Sequence, residues 1–170
     1  NNGESNLYVT EGSACISDSE GNLLLSTNGS MVFDRFGNPM PNGQRVRGDD
    51  SSTQNVLIVP EPGDQEDRYY YVFAVPAQLA SFASNDYSGI YYSIVDMTLN
   101  DGLGDIPEEP VEIGPNSGEG IHATWHENGR DVWIVYREMG SPRVHSFLLT
   151  CDGIVDDVVS EFNRDFEEGM

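Results

Sequence analysis

The sequence predicts an all-β fold of antiparallel meanders packed as β-propeller-like blades, and three features of the chain predict it. The apolar segments are short, rich in Val, Ile, Tyr and Phe, and bounded by turn residues, the pattern of strands rather than helices. Aromatic residues make up 10%, with 8 Tyr, 18 Gly and 9 Pro, which suits many short strands joined by tight turns. A unit of roughly 40–55 residues also recurs, as it does in repeat folds. Aligning Gly21, Gly63 and Gly129 brings LLLST, YYYVF and VWIVY to the same place. One meander cannot bury both faces of its sheet, whereas meanders packed side by side can.

The elements follow in order. ACIS and LLLST flank the turn SDSEGN, and residues 31–36 follow a second turn at Asn28-Gly29, giving a three-stranded meander. GNPMPNGQRVRGDDSS, residues 37–52, is a loop. NVLIVP, residues 55–60, is a continuous apolar run that suits a buried strand. EPGDQED turns the chain into RYYYVFAV, residues 68–75, and a Ser/Asn-rich loop leads to GIYYSIVDMTL, residues 89–99. NDGLGD and PEEPVEIGPNSGEG read as loop, because no helix survives that Pro and Gly content. In the third group IHATWH, VWIVYRE and VHSFLLT are strands separated by ENGRD and GSPR. CDGIVDDVVSEF starts either a further strand pair or a short helical turn. The blade-like units span about residues 5–45, 52–106 and 118–155, with 156–170 beginning another. Three blades and a fragment do not close a ring of about 4–8 blades. The chain is therefore part of a larger propeller, or its meanders pack as a sandwich.

A chain of 170 residues, 38% hydrophobic and 22% charged, is long enough for one domain with a real core. Its charge is lopsided, with 29 acids against 8 bases and a net of −21. Every base is Arg. A field this negative repels nucleic acid and anionic lipid, which argues against both as partners. Two readings of the acidity remain: cation binding by loop carboxylates, with Ca2+ the one candidate cofactor, and solubility, including adaptation to high salt. No apolar run approaches the ~20 residues of a membrane helix. The sequence has no signal peptide and no initial Met, as expected of a processed, trimmed or partial chain. Cys15 and Cys151 are the only cysteines, either bonded to each other or two free thiols.

The stretch WHENGRDVW, residues 125–133, concentrates the candidate ligand-binding residues Trp125, His126, Arg130 and Asp131. Arg130-Asp131 reads as a catalytic pair or as support for a hairpin whose Asn128-Gly129 favours a type I′ turn. The hairpin reading is preferred, with Trp125 and Trp133 as aromatic anchors. His126 then supports the turn or packs on Trp125, and His145 occupies a pleat position. His122 and His126 would share a helix face and bind zinc, but on a strand they lie about 13 Å apart. Tyr91, with Tyr92 and residues 69–71, offers aromatic faces that stack on sugars, though alternation sends about half of them to the core. Asp18, Glu20 and Asn22 alternate as calcium ligands do, without the downstream Glu of an EF-hand. Asn100, Asp101 and Asp105 in NDGLGD are the second candidate cation loop. No G-x-S-x-G elbow or P-loop occurs, neither cysteine has a catalytic setting, and no catalytic residue is assigned. A carboxylate pair for glycoside hydrolysis would be invisible at this level.

Four phrases in order resemble a group of secreted Bacteroidota proteins. SACISDSEGNLLLSTNGSMVFDRFGNPMPNG is similar to the group's opening blade, "ISD-x-x-GNLLFYTNG-x-x-VW(D/N)-x-x-G-x-x-MPNG". SSTQNVLIVPEPG, YYSIVDMTLNDGLGDI and HENGRDVWIVYRE resemble its "SSTQ-x-x-(L/I)IVP-x-PG", "YS-VDM-x-LN-GLGDV" and "H-x-NGRDYW-V-x-(H/R)E". Together they run from about residue 12 to 138. The resemblance implies a β-propeller-like domain, export across both membranes by type IX secretion, and display on the cell surface. It also implies that the chain is the N-terminal portion of a longer protein with PKD-like modules and a sorting domain. It implies no reaction. The expected function is non-catalytic interaction or adhesion, with another surface protein, a glycan or a neighbouring domain of the same polypeptide as partner. The alternatives are a secreted polysaccharide hydrolase or lyase, and a structural spacer.

Overall fold

A computed structural model describes residues 8–77 and 88–162. The Ser/Asn-rich loop expected before GIYYS falls mostly outside them. The described residues are all-β, in three antiparallel sheets whose strands are neighbours in sequence. The first sheet holds β1 (Ala14–Ser17), β2 (Leu23–Thr27) and β3 (Val32–Asp34). The second holds β4 (Val56–Pro60), β5 (Tyr69–Ala74), β6 (Ile90–Asp96) and β7 (Val111–Gly114), and a 3-10 turn at Asn100–Gly102 follows β6. The third holds β8 (Ser117–Trp125), β9 (Val132–Glu138), β10 (Arg143–Thr150) and β11 (Gly153–Glu161).

Two segments differ from expectation. PEEPVEIGPNSGEG is not all loop: β7 forms within it, pairing Glu112 with Tyr91 and Val111 with Tyr92, and β8 already begins at Ser117. Pro and Gly exclude a helix there, but they tolerate an edge strand, where one side of the backbone needs no partner. Of residues 156–170, expected to begin a fourth unit, 156–161 instead complete the third sheet, and 163–170 lie outside the described residues. Asp157 pairs with Phe147 and Val159 with His145, so β11 returns along β10. The carboxylates of IVDDVV fit a strand whose face is open to water.

Alternation along the strands builds the core in two layers. On β5, Tyr70, Val72 and Ala74 point to one face of the middle sheet and meet Leu25 and Val32 of the first. Tyr71, Phe73 and Val75 point to the other and meet Ile121, Ile134, Tyr136 and Phe147 of the third. The middle sheet is thus buried on both faces, which is why NVLIVP and YYYVFAV read as continuous apolar runs. Tyr71, Phe73 and Tyr92 cluster at centroid distances of 5.3–6.0 Å.

The sheets also meet along their first strands. β1 lies against β4, and β4 against β8. Gln54 forms a parallel bridge with Gly120, its amide donating to the Glu119 carbonyl at 3.0 Å. The first strands of the second and third sheets therefore run side by side in the same direction. Asn55 locks this region: its Nδ2 donates to the Asn28 carbonyl at 2.7 Å and the Asp49 carbonyl at 2.8 Å. Its side chain fills the space where a Cβ on Gly12 or Gly29 would stand, and Gly29 also sits at φ +89°.

Candidate functional site

The hairpin between β8 and β9 closes with the His126 amide donating to the Asp131 carbonyl at 2.8 Å. Four residues lie inside that pair, and the Gly129 amide donates to the His126 carbonyl at 3.0 Å. Gly129 has φ +68°, and Asn128 is not among the residues of positive φ. The turn is therefore of type I followed by a left-handed glycine, not the expected type I′. A four-residue loop takes that geometry, whereas type I′ serves two-residue loops.

Its polar side chains hold the turn together. Asn128 Oδ1 accepts from the amides of Arg130 and Asp131 at 3.0 Å each. Asp131, 5% exposed, accepts from Asn128 Nδ2 at 2.7 Å and Arg130 Nε at 3.0 Å. The Asn128 bond, then the Arg130 bond, holds the Asp131 carboxyl below its usual range. Asp131 in turn pushes the Arg130 guanidinium up. His126 Nδ1 accepts from the Asn128 amide at 3.2 Å, and its ring packs on Trp133 at 5.9 Å rather than on Trp125. Arg130 Nε, both Asp131 carboxylate oxygens and His126 Nδ1 are thus engaged within the loop.

Trp125 differs. It ends β8 paired with Val132 and stays 68% exposed. Beneath it lies a cavity of about 200 Å³. Ile58, Val59 and Pro60 line it from the end of β4, and Ala123, Thr124 and Val132 line it with Trp125 from the third sheet. The parallel contact of β4 with β8 makes this pocket. That contact joins residues more than 60 positions apart, so no local pattern announces the β4 contribution.

Tyr91 does not join this site. It pairs with Ala74, on the face turned to the first sheet, where it is 9% exposed and donates to Glu112 Oε2 at 3.1 Å. His122 and His126 both belong to the extended segment, with His126 one residue past the end of β8.

The candidate cation loops are built as turns. Asp18 Oδ1 accepts from the amides of Glu20 and Asn22, and Oδ2 from Asn22 Nδ2 at 3.0 Å. The Asn22 side chain leads in lowering the Asp18 pKa. Asp34 repeats the arrangement with Phe36 and Asn38, so D-x-x-G-N is a recurrent turn here. Asp105 accepts from the amide and side chain of Asn42, at 2.9 Å each, and from the Ile106 amide. Asn100 and Asp101 sit at φ 52° and 56°, and Arg35 donates to the neighbouring Gly102 carbonyl at 2.8 Å. Among the described residues, no three His, Cys, Asp or Glu side chains are grouped to hold a metal.

His145 is more than a pleat position. It stacks on Tyr136 at 4.9 Å and on Phe147 at 6.2 Å. Asp157 lies 3.3 Å from its Nδ1, and Glu138 3.6 Å from its Nε2. Cys15 and Cys151 are both free and exposed, on the first strand of the first sheet and the β10–β11 turn. Among the described residues, no helix is long and apolar enough to cross a membrane. Comparison with protein-family models, with curated proteins and with solved structures finds no match to this chain.

Proposed function

We propose that this chain is the propeller-type interaction module of a cell-surface protein, binding its partner at the Trp125 pocket without catalysis. The carrying observation is Trp125, 68% exposed over an apolar cavity that two sheets build. Buried Trp is ordinary core, but a Trp held open beside a pocket matches the aromatic anchors on which binding energy concentrates. Arg130 and Asp131 serve as scaffold, holding the turn that fixes Trp125.

Three features support a propeller over a two-layer sandwich. Each sheet is a meander, the middle sheet is covered on both faces, and first strand lies against first strand in the order β1, β4, β8. On β9, Trp133 and Val135 alternate with the buried Ile134 and Tyr136 and stay half-exposed. That is the middle sheet's two-faced pattern, and it fits a further blade. Display outside the cell by type IX secretion rests on the four phrases that resemble secreted Bacteroidota proteins. Candidate partners are another surface protein, a glycan or a neighbouring domain. Ca2+ at the acidic loops is a separate proposal.

The test screens the protein against a glycan array and a random peptide library, with Trp125→Ala in parallel. Wild type should bind members of one set, and Trp125→Ala should weaken that binding at least about tenfold, the ~1.4 kcal/mol expected of an anchor. Equal binding by the variant would rule out the pocket.

A further inference from the structure

Resting on that assignment of the Trp125 pocket, we infer that its ligand is a protein segment presenting an apolar side chain next to a Lys or Arg. The cavity fixes the first half. Its wall is the carbon of Ile58, Val59, Pro60, Ala123 and Val132 beside the Trp125 ring, with Thr124 the only polar residue. A sugar stacked on Trp125 would turn hydroxyls toward this wall, and unpaired hydroxyls pay for lost water without return. At about 200 Å³ the cavity is also smaller than those that enclose whole small molecules, ~300–1,000 Å³. One Leu-, Ile- or Phe-sized side chain fits it.

Charge fixes the second half. The chain carries −21, so any partner arrives through a field that favours cations. Two carboxylates flank the lining along the chain: Glu61 directly follows Pro60, and Glu127 lies just past Trp125. Alternation on β4 puts Glu61 on the face of Val59, one step beyond the lining. It is half-buried there, and burial followed by the nearby Asp64 raises its pKa. A carboxylate so placed gains when a cation comes alongside. Glu127 is exposed two residues past Trp125. Arg130, on the same turn, is engaged by Asp131 at 3.0 Å, so that pair leaves the field in place.

The experiment is selection from phage-displayed random dodecapeptides, followed by fluorescence polarisation with synthetic labelled peptides. Selected sequences should pair Leu, Ile or Phe with an adjacent Lys or Arg. Replacing the apolar residue by Ala, or using Trp125→Ala protein, should weaken binding at least tenfold. Glu61→Gln should weaken it several-fold and flatten its salt dependence. Trp125 and Glu61 are not core residues, and circular dichroism of each variant checks the fold. Trp125-dependent binding on a glycan array, with no peptide enriched, would overturn this ligand class and keep the pocket. Selected peptides lacking the basic residue, or insensitive to Glu61→Gln, would overturn the charge half. Binding indifferent to Trp125→Ala would overturn pocket and ligand together.

Discussion

Asn55 joins parts of the chain that no local pattern connects. Its Nδ2 bridges the turn at Asn28 and the loop at Asp49, both by carbonyls, at a residue only 1% exposed. Deleting it strands two acceptors and opens space beside Gly12 and Gly29. Asn55→Ala should therefore cost about 1–3 kcal/mol, the penalty for buried groups left unpaired, read as a fall in the urea midpoint at unchanged slope. An unchanged midpoint would mean that water or a shifted loop replaces both bonds. At the same scale, one spacing carries two readings. Asp18, Glu20 and Asn22 have the spacing of calcium ligands, yet Asp18 bonds the amides of Glu20 and Asn22. Acidic side chains at alternate positions are equally what an Asx turn needs. The second copy, at Asp34 and Asn38, was in the sequence and is the clue that favours the turn.

Among the elements, β5 ties both core layers together, and its ionisable groups bound the pH range of stability. Arg68, just before it, forms a paired bond with Asp96 at the end of β6, at 3.1 and 2.7 Å. The Arg68 guanidinium, helped by Thr98, brings the Asp96 pKa down from 3.8 to about 2. Its folded value lies below its unfolded one, so this stability is present above 3.8 and lost as pH falls through 2. Burial raises Tyr70 and Tyr71 from 10.0 to about 12. There the sign reverses: the stability is present below 10 and lost as pH rises through 12. Each group is worth on the order of 2–3 kcal/mol. Thermal midpoints should thus be level between about pH 5 and 9 and fall on both sides. Arg68→Met should remove most of the acid-side step, and a step that survives it would assign that loss to other carboxylates. These strands were legible because period-2 alternation and aromatic content are local. β7 was not, since a four-residue edge strand among Pro and Gly carries little local signal, and its pairing with Tyr91 and Tyr92 is a tertiary fact. The Trp125 half of the pocket could likewise be read from WHENGRDVW, while the Ile58–Pro60 half needed the β4–β8 contact.

The whole molecule carries a charge that its ion pairs do not offset. Arg68 pairs with Asp96, Arg130 with Asp131, Arg143 with Glu138 and Glu161, and Arg45 with Glu109. Each pair uses a base, and the net of −21 remains with the carboxylates left over. Spread over three stacked sheets, those charges repel more strongly in the folded state than in an expanded chain, where they lie farther apart. Salt should relieve that strain. Raising NaCl from about 0.01 to 0.1 M shortens the screening length from ~30 to ~10 Å, below the spacing of many surface pairs. The melting temperature should rise by about 2–4 °C, equivalent to ~1 kcal/mol for a chain of this size. The same titration with CaCl2 at matched ionic strength separates the two origins of the acidity. Equal curves mean that carboxylates act only as a diffuse field. A further rise that saturates with calcium and reverses with chelator means that a loop binds the ion, and Asp105→Asn against Asp18→Asn would then locate it. A melting temperature that stays flat or falls as NaCl increases would contradict the repulsion argument itself, because it would mean that the carboxylates are compensated where they stand.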